Sequence, residues 1–194
     1  NYGGGFSGGV SIRGVPVLNT YGGEVFWVDS GEGSNGNDGT FGKPWATLDY
    51  AVGRCTASRG DIIMVKPGHA DTVSAAAGLA LDVAGITIVG IGSGSLQPTV
   101  TLDTIITADI DVDAANITID NINFVANFAD IAVVLDVNAT DFTVRNCRFT
   151  QAGADLNAKV CIQDAAAAAS DRITVENCNA IMYDAANTHF INMA

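Results

Sequence analysis

Five aspartates, Asp82, Asp111, Asp113, Asp120 and Asp136, fall in short stretches where apolar and polar residues alternate, such as "ADIDVD" and "VVLDVN". Alternation puts acids of this kind on the outer face of a strand. Two carboxylates facing one sugar are what a glycoside hydrolase needs. Carboxylates holding calcium, with an Arg or Lys as base, are what a polysaccharide lyase needs. Asp111 and Asp136 stand at matching offsets before Ile117 and Phe142, which predicts that they are neighbours on one outer face. The later repeats carry Arg145, Arg148 and Arg172, and Arg148 shares a repeat slot with Asn123, followed by Asn179. The same residues also describe the solvated outer faces of strands, so no catalytic residue is assigned.

Other motifs do not complete. The loop "DSGEGSNGNDGT" offers Asp29, Asn35, Asn37 and Asp38 as oxygen ligands. It departs from the EF-hand template, whose fifth position from Asn35 is here Gly39 and whose twelfth is Ala46; tight turns closed by Asx side chains account for it. "GTFGKP" lacks the first Walker glycine, and "GIGSGS" ends in Ser where a dinucleotide fingerprint needs Gly or Ala. His69 and His189 are the two histidines. His69 follows a Pro-Gly turn and is expected to pack, and no Ser/His/Asp grouping is visible. Cys55, Cys147, Cys161 and Cys178 form no CxxC pair and no zinc spacing. No metal and no cofactor is expected. The sequons at Asn116 and Asn138 mean little without a secretory signal.

Composition excludes several function classes. The 194 residues suffice for one domain with a sizeable core. Hydrophobic residues make up 48% and charged residues 15%, unlike a disordered chain. A net charge of −12 leaves no basic surface to displace counterions from phosphates, so nucleic acid is not expected as a partner. Attraction to an anionic membrane is disfavoured for the same reason, and no apolar run reaches the ~20 residues that span a bilayer. The chain opens on Asn rather than Met and shows no secretory signal, which fits a processed or incomplete start.

The elements that must position the acids are repeated. "NITIDNINF" (116–124), "DFTVRNCRF" (141–149) and "RITVENCNA" (172–180) align, with a weaker copy, "GITIVGI", at 85–91. The first apolar residues, Ile86, Ile117, Phe142 and Ile173, are spaced by 31, 25 and 31 residues. Within a copy the apolar phase slips by one at Asp120-Asn121, which reads as strand, tight corner, strand. A unit of this kind buries its apolar face only by stacking on its neighbours. Asn121, Asn146 and Asn177 are expected to stack at one corner, each amide bonding to the next, in the left-handed conformation that Asn tolerates. Ile122, Cys147 and Cys178 are expected to stack inward. The two cysteines fit buried hydrophobes, and rungs ~4.8 Å apart also leave a disulfide open.

The fold expected is all-β, a right-handed parallel β-helix; a β-sandwich, the rival, does not explain an Asn in one repeated slot. Three segments follow: a glycine-rich extended arm (1–23), an entry module (24–71) and the rungs (72–194). Within the entry module, Pro44 and the spacing of Trp45, Leu48, Val52 and Cys55 predict an amphipathic helix over 44–58 that covers the first rung. "THFINMA" reads as a further strand, and either more chain or another subunit is expected to cover it.

The segment 25–72 resembles the N-terminal entry module of pectate-lyase-like β-helix proteins. The likeness rests on Asn37-Asp38-Gly39-Thr40, Pro44-Trp45-Ala46-Thr47, Gly60-Asp61-Ile62-Ile63 and Pro67-Gly68. The first 30 residues are similar to the start of uncharacterised β-helix proteins of tailed bacteriophages, through Arg13-Gly14-Val15-Pro16-Val17 and Val25-Phe26-Trp27-Val28. That resemblance implies a non-enzymatic virion protein of the structural, decoration or fibre type. It would sit in the particle in multiple copies or as a homo-oligomer. It would dock on capsid or tail proteins through Ile12, Arg13, Val15, Pro16 and Val17. The alternative on this fold is a carbohydrate-active enzyme or a glycan-binding adhesin.

Overall fold

The computed structural model describes residues 10–12, 15–17, 22–164, 172–181 and 189–193. Two short strands, β1 (Val10–Ile12) and β2 (Val15–Val17), pair antiparallel as a ribbon, with Val10 opposite Val17 and Ile12 opposite Val15. The remainder of the arm, Arg13 included, lies outside the described residues. β3 (Val25–Val28) then leads through a long loop to α1 (Leu48–Val52).

Five triplets of strands follow. They are β4 (Ile62–Val65), β5 (Ala70–Val73) and β6 (Leu79–Leu81); β7 (Thr87–Gly90), β8 (Thr99–Leu102) and β9 (Ile110–Val112); β10 (Thr118–Asp120), β11 (Asn123–Ala126) and β12 (Ile131–Val137); β13 (Thr143–Arg145), β14 (Arg148–Gln151) and β15 (Ala158–Asp164); and β16 (Thr174–Glu176), β17 (Asn179–Ile181) and β18 (His189–Asn192). The first strands of the triplets join β3 in a six-stranded sheet. The second and third strands form two five-stranded sheets. Every pairing in these three sheets is parallel. The protein is an all-β parallel solenoid. Its first full rung begins at Ile62, and among the described residues one hydrophobic core runs from Val28 to Ile162.

Register explains the core. Phe26, Ile63, Ile88, Ile119, Val144 and Val175 form one inward row of the first sheet. In the second sheet Phe124 lies on Phe149 with ring centroids 5.1 Å apart. In the third, Leu79, Ile110, Leu135 and Ile162 align. Each such side chain contributes roughly 1.5–3 kcal/mol on full burial. Thr87, Thr118, Thr143 and Thr174 make a β-branched row on the outside of the first sheet.

The corners are residues with left-handed backbone. Asn121, Asn146 and Asn177 have φ of 58°, 54° and 51°. A second corner, just before each first apolar residue, holds Gly85, Asn116, Asp141 and Arg172 at 75°, 60°, 59° and 63°. The asparagines do not form the amide-to-amide ladder expected from their spacing. Asn121 Nδ2 donates to the carbonyls of Gly90 and Gly92, and its Oδ1 accepts from Gln97. Asn146 Nδ2 donates to Asp120 Oδ1 at 2.8 Å. Main-chain carbonyls at the corner of the preceding rung and a nearby carboxylate take the place of a neighbouring amide, and the bond to the charged acceptor is the stronger kind. Gly90 makes this possible, since a Cβ there would meet the Asn121 carbonyl oxygen at 2.2 Å.

The helix expected over 44–58 is five residues long. Trp45 is not helical: its N–H donates to Trp27 and its carbonyl accepts from Asp29, so it lies beside β3 as a strand partner. Thr47 is the N-cap of α1, its hydroxyl accepting from Tyr50 N–H. Leu48, Ala51 and Val52 are buried in the core. Two aspartates of the first rung tie down this segment. Asp71 Oδ2 accepts from Leu48 N–H at 2.8 Å, and Asp61 Oδ2 accepts from Thr56 N–H at 2.7 Å.

Asp61 is fully buried and stands in the inward slot that Ile86, Ile117 and Phe142 fill on later rungs. A lone carboxylate there would be prohibitive. It is held by a forked pair with Arg59 at 2.7 and 2.8 Å and by Glu24 N–H at 2.9 Å. Burial works against its charge, but these bonds outweigh burial and keep its pKa below 3.8. A lowered folded pKa means stability that is present above the unfolded value and lost as pH falls through the folded one. Asp61→Ala leaves two N–H groups without their acceptor and removes one of the two carboxylates that Arg59 bonds, Glu24 being the other. It is expected to cost about 3–5 kcal/mol, read as a fall in the urea midpoint at pH 7. The gap between variant and parent should narrow as the pH is lowered below 3.8.

Candidate functional site

The third sheet carries an outward row from Ala80 through Asp111 and Asp136 to Gln163. β9 and β12 place Asp111 and Asp136 as direct register partners on neighbouring rungs. The matching offsets in the sequence point to this pairing. Asp109, just before β9, completes a cluster: one carboxylate oxygen from each of Asp109, Asp111 and Asp136 lies within 4.8 Å of the others. Asp109 was not foreseen, although the spacing Asp109, Asp111, Asp113 is the signal of one strand face.

Hydrogen bonds fix the rim. Asp109 Oδ1 accepts from Ala77 N–H, and Asp113 Oδ1 accepts from Asn138 Nδ2 at 3.0 Å. In the centre, Asp111 Oδ1 and Asp136 Oδ1 are buried and have no hydrogen-bond partner among the described residues. Burial pushes the Asp111 carboxyl up to about 6, and the charges of Asp109, Asp113 and Asp136 push it the same way. Burial, with Asp109 and Asp113, also raises Asp136. This is the behaviour of buried carboxyls crowded by like charges. The arrangement can hold a proton near neutrality, as a general acid does. It can equally present hard oxygen ligands to a divalent cation, with Asp109, Asp111 and Asp136 as the donors.

The basic residues named beside these acids go elsewhere. Arg145 Nε donates to Asp120 Oδ2 at 2.9 Å on the first sheet. Arg172 forms a forked pair with Asp141 at 2.6 and 2.7 Å. Arg148 lies on the second sheet between Asn123 and Asn179. Asp82 is exposed just beyond β6. The structure therefore joins Asp111 with Asp136 and adds Asp109, but brings none of Arg145, Arg148 or Arg172 to them.

The oxygen-rich loop is committed internally. Asn35 Oδ1 accepts from Ala46 N–H, Asn37 Nδ2 donates to the Pro44 carbonyl, Asp38 Oδ1 accepts from Thr40, and Asp29 accepts from Gly31 N–H while facing Lys66 at 3.4 Å. These are Asx turns and a loop clamp. His69 is buried, with Nε2 3.8 Å from Asp71 Oδ2, beyond hydrogen-bond length. Ile122 and Cys147 are buried at the first corner, and Cys178 is partly buried in the same slot.

No protein-family model matches the chain, and no curated protein matches it. Among solved structures it is similar to one described as rhamnogalacturonan lyase, with a TM-score of 0.50 and 16% sequence identity. The match covers 81% of this chain and 51% of that one, so the chain spans about half the length of that structure. The likeness is one of fold, the pectate-lyase-like parallel β-helix.

The raised pKa of Asp111 has a sign that can be checked. A carboxyl raised in the folded state adds stability that is full below 3.8 and lost as pH rises through about 6. Asp111→Asn is expected to remove this dependence and to stabilise the protein at pH 7. The gain is about 1 kcal/mol after allowance for solvent screening at a partly exposed group, or ~2–4 °C in Tm. Thermal melts of both proteins between pH 4 and 8 test this, and an unchanged pH profile would count against the crowding.

Proposed function

We propose that the protein is a non-enzymatic structural or decoration module of a bacteriophage particle, a rigid solenoid docked through its N-terminal ribbon onto capsid or tail proteins. The observation that carries this reading is the β1–β2 ribbon. It pairs with itself rather than with any solenoid strand among the described residues. Its register sets Val10 opposite Val17 and Ile12 opposite Val15. A two-stranded ribbon is marginal alone in water, and a row of β-branched residues favours a surface to lie on. The likeness of residues 1–30 to phage β-helix proteins supports the particle. The lyase reading needs a base beside Asp111 and Asp136, whereas Arg145 and Arg172 are engaged with Asp120 and Asp141. On this proposal the protein is located in the virion, in multiple copies.

A second reading, a glycan-active or glycan-binding protein, is favoured by one observation, the Asp109–Asp111–Asp136 cluster. The solved structure of similar fold is a rhamnogalacturonan lyase, so an acidic polysaccharide is the substrate class to try.

The two readings separate experimentally. The double variant Ile12→Asp, Val15→Asp is expected to keep the parent's thermal melt and to fall at least tenfold in copies per particle, counted by quantitative mass spectrometry of purified particles. Full occupancy of the double variant would sink the docking proposal. Turnover of an acidic polysaccharide by the purified protein, abolished by Asp136→Asn, would move the assignment to the second reading.

A further inference from the structure

We propose that Cys147 and Cys178 form a redox-modification site, which a small-molecule disulfide converts into a bridge between the last two rungs. Parallel register carries the argument. Arg145 is paired with Glu176 on one side of the corner, and Arg148 with Asn179 on the other. The residues between them, Asn146-Cys147 and Asn177-Cys178, therefore stack one on the other. Adjacent parallel strands lie ~4.8 Å apart, inside the Cα separation that a disulfide spans.

The Cys178 sulfur points toward the rung that carries Cys147. Cys178 Sγ–H reaches the carbonyls of Glu176 on its own rung and Val144 on the rung before, at 3.4 and 3.5 Å. Cys147 Sγ–H donates to the Arg145 carbonyl at 3.2 Å and its sulfur accepts from Ile122 N–H at 3.4 Å. The two thiols differ in access. Cys147 is buried, while Cys178 is partly exposed. The neighbouring Cys147 side chain lowers Cys178 to about 7, and Cys178 in turn raises Cys147. Cys178 is thus the thiol poised to react first.

The chemistry closes without any further reagent. The Cys178 thiolate, its proton passed to water, attacks one sulfur of an oxidised low-molecular-weight disulfide such as glutathione disulfide and expels one thiolate. Cys147 then attacks Cys178 Sγ, gives its proton to the departing second thiolate, and leaves the protein disulfide. Two cysteine sulfurs are oxidised and the small disulfide is reduced to two thiols. Cys55 and Cys161 have no such partner. Cys55 bonds to the Ala51 carbonyl after α1, and Cys161 shares its slot with Phe190 on the next rung. Burial raises both thiols to about 12.

The bridge would pin β16 and β17, the outermost described strands of the first two sheets, to the rung beneath. The test treats the folded protein with glutathione disulfide, quenches with acid, alkylates after denaturation and maps the peptides without reduction. The expected product is a Cys147–Cys178 link, two hydrogens lighter, with Cys55 and Cys161 alkylated. Amide exchange in β16 and β17 should slow at least tenfold after oxidation. A stable glutathione adduct on Cys178 beside a free Cys147, or four unmodified thiols, would overturn the proposal. Cys147→Ser is expected to stop at the Cys178 adduct. If that variant does not fold, Cys178→Ser serves instead, and modification of Cys147 in it would refute Cys178 as the point of entry.

Discussion

Everything in this fold depends on one constraint: each rung must turn its corners where the rung beneath turned them. A slip of one residue would carry every apolar side chain of the rung to the solvent face. The chain enforces the corners with single left-handed residues, at Asn121, Asn146 and Asn177 between the first and second strands and at Asn116, Asp141 and Arg172 before the first. Each such residue other than Gly costs roughly 1–2 kcal/mol in backbone strain, and Asn and Asp bear it best by bonding locally. Arg172 is the exception, and there the side chain recovers a forked ion pair with Asp141, the residue in the same slot one rung earlier.

The first rung shows the same constraint from the other side. Only β3 precedes this rung in the stack, so its inward slots face no full rung of their own kind. Here two of those slots hold aspartates. Asp61 occupies the place of Ile86, and Asp71 is the register partner of Val100. Neither could sit between two apolar rungs. Both succeed because the segment around α1 brings N–H groups to them, Leu48 to Asp71 and Thr56 to Asp61. The inward carboxylates therefore fix where the loop lies as firmly as the apolar contacts of Leu48, Ala51 and Val52 do.

The rungs were legible because repetition is written in residue types: Ile86, Ile117, Phe142 and Ile173 mark the period, and Asn121, Asn146 and Asn177 mark the corner. The pairing of Asp111 with Asp136 followed from the same arithmetic. What the sequence did not disclose was where polar atoms find their partners. The Asn121 amide takes main-chain carbonyls of Gly90 and Gly92 because a glycine corner leaves them open, a fact of three dimensions. The helix was overread because Trp45, Leu48, Val52 and Cys55 have helical spacing, while the backbone of Trp45 is bound to Trp27 and Asp29. Asp109 escaped because it precedes its strand, although it shares the alternate spacing of Asp111 and Asp113.

Stacked identical slots make charge a sharper signal here than in most folds. On the first sheet the outward row reads Asp120, Arg145, Glu176, alternating in sign from rung to rung, and Arg145 bonds to Asp120. At the second corner Asp141 and Arg172 alternate likewise. Opposite charges across a strand pair stabilise and like charges oppose. The third sheet breaks this rule by setting Asp136 on Asp111 with Asp109 beside them, and burial together with these like charges raises the Asp111 carboxyl to about 6. A solvated face with no other duty could have alternated there as it does elsewhere. These uncompensated carboxylates are therefore the feature on which the proposed glycan reading rests, and they lie on two adjacent rungs of one sheet.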